Sequence, residues 1–170
     1  MSRRTWLILG LLVGGCSGPE ISRDYDPKQD FSKWKTWGWA PMTPQVDGPT
    51  DPLAVSSLAQ ERIHHAVERE MVLKGYSKVG AESADFWVQH YAVQSQRVRV
   101  DPGYDWGYND VSTYAEGTII VDFVNPKDKR MVWRGTASDV IDPDLTPAER
   151  EQRIQEAIHE ILAEFPPNRK

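Results

Sequence analysis

The chain has a single cysteine, Cys16, in 170 residues. No internal disulfide can form, so stability must come from packing alone. It also lacks a long apolar run: the stretch from Trp6 to Val13 spans roughly eight residues, against the ~20 a helix needs to cross a hydrocarbon core of ~30 Å. No period of 20 to 50 residues repeats, which excludes solenoids and propellers. Lysine and arginine occur only as scattered pairs, and without a basic cluster nucleic acid is not an expected partner. Neither a Gly-x-Ser-x-Gly elbow nor a His-Glu-x-x-His helix is present.

What is there begins with the leader. Arg3 and Arg4 precede the apolar stretch, and Gly14 and Gly15 precede the cysteine, the order of segments in a secretory signal. Val13-Gly14-Gly15-Cys16 resembles the bacterial lipobox, in which cleavage before the cysteine is followed by acylation of its thiol and new amino group. Val13 and Gly14 stand where leucine and alanine or serine are commoner. Ser2-Arg3-Arg4-Thr5-Trp6-Leu7 also partly resembles a twin-arginine export signal. One acyl chain holds a protein only marginally, whereas two or three hold it for good, so Cys16 is the predicted lipid attachment site and the membrane a predicted partner. A lipidated thiol is also lost to nucleophilic catalysis. Ser17, where lipoproteins kept at the inner membrane often carry aspartate, favours the outer membrane with the domain in the periplasm. The expected organisation is a signal at 1–15, a lipidated tether at 16–22 and one domain at 23–168. Loss of Arg3 and Arg4 with the leader leaves 18 basic against 25 acidic side chains, a net charge of −7.

Along the mature chain, aromatic and β-branched residues between Ile21 and Trp39 predict strand structure. Four prolines and Gly48 make 41–52 a loop. Ala59, Ile63, Val67 and Met71 recur at spacing four and predict a helix over 52–74, stopped by Gly75. Residues 85–100 read as a central strand, apolar on both faces from Phe86 to Val93. Residues 101–113 are predicted to form a loop. Strands at 114–124 and 131–141 flank Asn125-Pro126-Lys127-Asp128-Lys129, the strongest hairpin signal in the chain. Thr146-Pro147-Ala148-Glu149 is a capping box with proline at the first helical position, followed by an apolar stripe of Ile154, Ile158, Ile161, Leu162 and Phe165. The expected fold is α+β, a mainly antiparallel twisted sheet of about four or five strands with two helices on one face, in the order β-β-α-β-β-β-α.

Several blocks taken together carry a resemblance. These are Asp24-Tyr25-Asp26, Phe31-Ser32-Lys33-Trp34-Lys35-Thr36-Trp37-Gly38-Trp39, Gly117-Thr118-Ile119-Ile120-Val121-Asp122-Phe123-Val124, Val132-Trp133-Arg134-Gly135-Thr136-Ala137 and Phe165-Pro166-Pro167. The chain resembles the domain-of-unknown-function 4136 family of bacterial envelope lipoproteins over almost its whole mature length, with Trp34 and Trp37 where tyrosine is commoner. The resemblance implies a lipid-anchored periplasmic α+β domain, and it transfers no catalytic residue and no cofactor.

Candidate sites are few. His64 and Glu68 share a helical face at i and i+4, a spacing that suits two ligands of one metal, but the reading favoured by the surrounding residues is a solvated face. His90 is expected to be a hydrogen-bonded core or rim histidine, and His159 to flank the apolar stripe. Asp101, Asp105 and Asp110 do not have calcium-loop spacing, so no metal site is nominated. Tyr104, Trp106, Tyr108 and Tyr114 form the candidate contact surface for an envelope protein or a glycan, aromatics being common anchors at interfaces. Trp133 and Arg134 should point to opposite faces, with Asp122 on the paired strand as a partner for Arg134. Gly135 marks a bulge or a close backbone approach. The expected function is a lipid-anchored, periplasm-facing binding or structural component without catalytic activity. Two alternatives remain: a hydrolytic or metal-dependent enzyme, for which histidines must converge with two carboxylates in a cleft, and a small-ligand or lipid carrier, for which an apolar cavity must lie between sheet and helices.

Overall fold

The computed structural model describes residues 18–41, 56–102 and 109–167. Strands β1 (Glu20–Tyr25) and β2 (Thr36–Trp39) come first, separated by a 3-10 turn at Phe31–Lys33. Helix α1 (Ser57–Leu73), the two-residue strand β3 (Ser77–Lys78), and strands β4 (Phe86–Pro102), β5 (Asn109–Asn125) and β6 (Arg130–Val140) follow, and α2 (Pro147–Leu162) closes the chain. Six strands form one sheet in the order β1-β6-β5-β4-β2-β3. The pairings β1–β6, β6–β5 and β5–β4 are antiparallel, whereas β2 runs parallel to both β3 and β4.

The α+β architecture with two helices therefore stands, and the expected four or five strands become six. The additional strand is Ser77–Lys78, held beside β2 by the amides of Ser77 and Val79 donating to the carbonyls of Lys35 and Trp37. Two exposed residues carry no alternation that a sequence pattern can register.

The core lies between one sheet face and the two helices. Its densest part is aromatic: Phe165 sits 4.3 Å from Phe123, 5.4 Å from Trp133 and 5.8 Å from Phe31 between ring centroids. Trp34 stacks on Phe86 at 4.6 Å, and Phe123 stacks on Trp133 at 4.7 Å. Each such ring, fully buried, contributes about 1.5–3 kcal/mol. Helix α1 ends at Gly75, whose φ of +82° is the left-handed stop that glycine adopts without steric cost. At the start of α2, Thr146 and Glu149 form the reciprocal capping box that the sequence predicts, with Pro147 in the first turn.

Residues 101–102 and 109–113, the described part of the predicted loop 101–113, are strand. Pairing of β4 with β5 continues from Trp87↔Val124 out to Pro102↔Asn109. Strand β2 accompanies β4 only to Val88, and β6 accompanies β5 only as far as Glu116. Past Ser95↔Glu116 the two strands thus form a ribbon with no third strand among the described residues, about 25 Å long at ~3.3 Å per residue. Turn-forming residues at 101–113 masked this continuation, because cross-strand pairing rather than local propensity holds it.

Candidate functional site

Cys16, Tyr104, Trp106 and Tyr108 lie outside the described residues. Tyr114 is half-buried on β5, opposite Arg97 and on the sheet face away from the helices. The Arg99 guanidinium stands 5.2 Å from its ring centroid, and Arg97 donates to the Glu116 carboxylate at 2.8 Å and 3.0 Å. These contacts give Tyr114 a role in holding the ribbon together.

On the same sheet face, Arg134 donates through Nε and Nη2 to the two oxygens of Asp122, both at 2.7 Å. Asp122 is buried, and Trp133 faces the opposite way into the core, as alternation predicts. The next residue, Gly135, is a close approach: a Cβ there would meet the Trp133 ring at 2.5 Å and the Ile161 Cγ2 at 2.6 Å. The sheet's register shift falls instead at Phe123/Val124.

The histidines of α1 and β4 do meet. Trp39 stacks on His64 at 4.0 Å, and His90 lies 5.5 Å from Trp39 and 6.0 Å from His64, between ring centroids. One Glu68 oxygen accepts from Trp39 Nε1 at 2.9 Å, lies 3.0 Å from His64 Nε2 and also receives the Lys78 ammonium. The expected solvated face at His64 and Glu68 is therefore a junction that ties β2 and β3 to α1. His90 departs from expectation too, since its Nδ1 is buried without a hydrogen-bond partner. Burial, helped by positive charge at His64, pushes the His90 pKa down to about 4. Burial also lowers the His64 pKa against the opposing pull of Glu68. For Glu68, burial works upward but is outweighed by the hydrogen bonds from Lys78 and Trp39, which hold its carboxyl below the usual range.

The cluster thus brings two histidines and one carboxylate together. Among the described residues no three or more His, Cys, Asp or Glu side chains are arranged to hold a metal ion. His159 is elsewhere, its Nδ1 3.2 Å from the buried Glu70 carboxylate, where it links α2 to α1.

A cavity between sheet and helices, which the sequence reading named only as the condition for a carrier, is present, with a volume of about 760 Å³. It lies at the end where both helices begin and where the β4–β5 ribbon leaves the sheet. Ile63, Ile119, Ile154 and Leu145 line it, and Ala59, Ala92, Gly117, Ala137 and Ala157 supply its small-residue wall. The opposite end of the core is filled by Trp37, Phe86, Phe123 and Trp133. Small side chains on inward faces leave room where the other end has none. Gly18 and Pro19 also line the cavity, which puts its mouth beside the start of the described chain. The cavity volume falls in the range of small-molecule sites, about 300–1,000 Å³. Alanine or glycine at inward positions of five different elements was the sequence signal for it.

The rim is charged, and its groups are not equivalently engaged. Arg153 donates to Asp139 at 3.1 Å, and Arg150 donates to the carbonyls of Leu145 and Pro143. Arg62, half-buried, has no ion-pair partner among the described residues. Among those residues no helix is long and apolar enough to cross a membrane.

The family described as "Domain of unknown function (DUF4136)" matches residues 21–167. No curated protein sequence matches the chain. Among solved structures, a DUF4136 family protein from Bacteroides thetaiotaomicron is 19% identical with a TM-score of 0.53, the likeness covering 88% of this chain and 96% of that one. A PelC dodecamer from Paraburkholderia phytofirmans is 10% identical with a TM-score of 0.50, covering 85% and 96%. A PDZ domain protein from Parabacteroides distasonis is 11% identical with a TM-score of 0.56 over 88% of this chain and 36% of that one, so this chain spans about a third of that protein's length. At such identities the likeness is one of fold.

Proposed function

We propose, from the premise that the chain belongs to the DUF4136 family, that it is a lipid-anchored binding protein of the bacterial outer envelope, facing the periplasm and working without catalysis. The observation that carries this reading is the cavity between sheet and helices, whose mouth is bordered by Gly18 and Pro19. Cys16 is two residues upstream of Gly18, a reach of about 7 Å in extended chain. An acylated Cys16 therefore tethers the cavity mouth at the bilayer surface, where a binding site of this kind meets membrane-borne ligands.

Two measurements on the full chain in its host test the proposal. Intact-mass analysis should find a mature protein that begins at an acylated Cys16 and partitions with detergent. A benzophenone side chain placed at position 154, which lines the cavity, should yield a discrete mass adduct after irradiation of cells. An unmodified N-terminus overturns the anchoring, and the absence of any adduct at position 154 overturns the binding role.

Self-assembly is a second reading, favoured by the ribbon. Two-stranded ribbons are marginal by themselves, this one exposes Val98 and Val100, and unaccompanied strand edges invite further strands. The similar PelC structure is a dodecamer. Light scattering of the purified full chain decides it: a monomer at all accessible concentrations rejects self-assembly.

A further inference from the structure

We infer that the cavity takes a fatty-acyl chain of a phospholipid from the bilayer, with the chain between the helices and the sheet and the phosphate at the start of α1 beside Arg62. The inference rests on the reading of the chain as a membrane-tethered binding protein and gives that site its ligand class.

The lining sets the chemistry of the tail. Ile63, Ile119, Ile154 and Ala137 present hydrocarbon without a hydrogen-bonding group, so a polar ligand part inside would lose its water without compensation. An acyl chain loses nothing there, because it exchanges one apolar surrounding for another. Tail burial thus permits entry, and the contact with the phosphate retains the lipid.

The rim sets the chemistry of the head. Arg153 and Arg150 are already held by Asp139 and by backbone carbonyls, whereas Arg62 reaches the cavity with no carboxylate partner among the described residues. Arg62 sits about one turn into α1, whose first turn contains no acidic residue and whose Ser56 cap also lines the cavity. The positive end of the helix and an uncommitted guanidinium therefore converge at the mouth, an arrangement suited to a phosphodiester. The capping box of α2, by contrast, already places the Glu149 carboxylate at its own helix start, so the anion belongs at α1.

The full lipidated protein, reconstituted in phosphatidylethanolamine vesicles containing phosphatidylglycerol with a diazirine at the end of one acyl chain, provides the test. Irradiation and peptide mapping should place label on the peptides carrying Ala92, Ile119 and Ile154. Ala92→Trp, which fills the cavity, should lose that label while keeping the thermal unfolding midpoint; Ala59→Phe obstructs the same space from α1 should the first variant fail to fold. Arg62→Gln should lower labelling by phosphatidylglycerol about tenfold, the scale of one charge-assisted contact, and labelling by a diazirine phosphatidylethanolamine to a similar degree, since both carry the phosphodiester; unchanged labelling by both overturns the placement of the phosphate. Label confined to the ribbon or the N-terminal peptide, or unchanged in both filled-cavity variants, overturns the inference. If position 154 captures an adduct of non-lipid mass in cells while the vesicle label is absent, the binding role survives and the lipid class falls. If both are blank, both fall.

Discussion

The Arg134–Asp122 pair should respond asymmetrically to removal of its two ends. Asp122 is 1% exposed, while the Arg134 side chain is 43% exposed. Truncating Arg134 to alanine leaves a buried carboxylate with only the Gln89 amide, at 3.4 Å. Loss of one partner of a fully buried pair costs about 3–5 kcal/mol, and a pair whose cation is half in water sits below that range, at about 2 kcal/mol. Asp122→Asn leaves a guanidinium that is already half hydrated and keeps one acceptor for it, so its cost is about 1 kcal/mol or less. In a domain of this size the first variant should lose about 4–8 °C in Tm and the second about 2–4 °C. Urea unfolding of wild type, both single variants and the double variant measures each cost and the coupling between them. Equal losses from the two single variants, with unchanged m values, would show that the Asp122 carboxylate is effectively solvated and would refute the argument.

Gly135→Ala forces a methyl group to 2.5 Å from the fully buried Trp133 ring and 2.6 Å from Ile161; overpacking should cost about 3 kcal/mol in urea unfolding, and an unchanged midpoint would contradict the close approach. Thr146→Ala removes the hydroxyl that accepts from the Glu149 amide, and should lower stability by about 1 kcal/mol, read as a small fall in Tm. Because His90 is held at about 4 in the fold against 6.5 in the unfolded chain, the unfolded state binds the proton more readily. The stability from a neutral His90 is fully present above pH 6.5 and is lost as pH falls toward 4. The urea midpoint should drop across that window, and His90→Phe should flatten the drop; a midpoint that rises on acidification reverses the sign of the argument.

The two helices were legible in sequence because each combines a four-residue apolar spacing with a local stop or start signal: Gly75 after α1, and Thr146 with Pro147 and Glu149 before α2. The β5–β6 hairpin was legible for the same local reason, and so was the partnership of Arg134 with Asp122. Strand β3 was not, since its two exposed residues are fixed by the backbone of β2 rather than by any preference of Ser77 or Lys78. Only the outer part of the ribbon, 101–102 and 109–113, was read as loop, because Pro102, Gly103 and the neighbouring aspartates signal turns, while the ladder that continues through those strand portions is a non-local property. His64 and His90 stand apart in sequence, and only the packing of α1 over β4, with Trp39 between them, brings the rings to 6.0 Å.

The cavity shows how function can be written in what a core omits. Trp37, Phe86, Phe123 and Trp133 fill one end of the layer between sheet and helices, and the same strands and helices then place Ala92, Gly117, Ala137 and Ala157 at the other. Filling such a space with larger apolar side chains is normally an easy route to stability. An unfilled volume lacks partner atoms for its lining, and that lining forfeits dispersion attraction. A core that gives up contacts at the end bordered by Gly18 and Pro19, and keeps them at the far end, leaves room there for the guest proposed above. Ala157→Leu should therefore stabilise the empty protein, raising its Tm by a few degrees as about 1 kcal/mol of burial is gained, while abolishing acyl-chain labelling. If the same substitution lowers Tm, the space is already packed and no guest has room to enter.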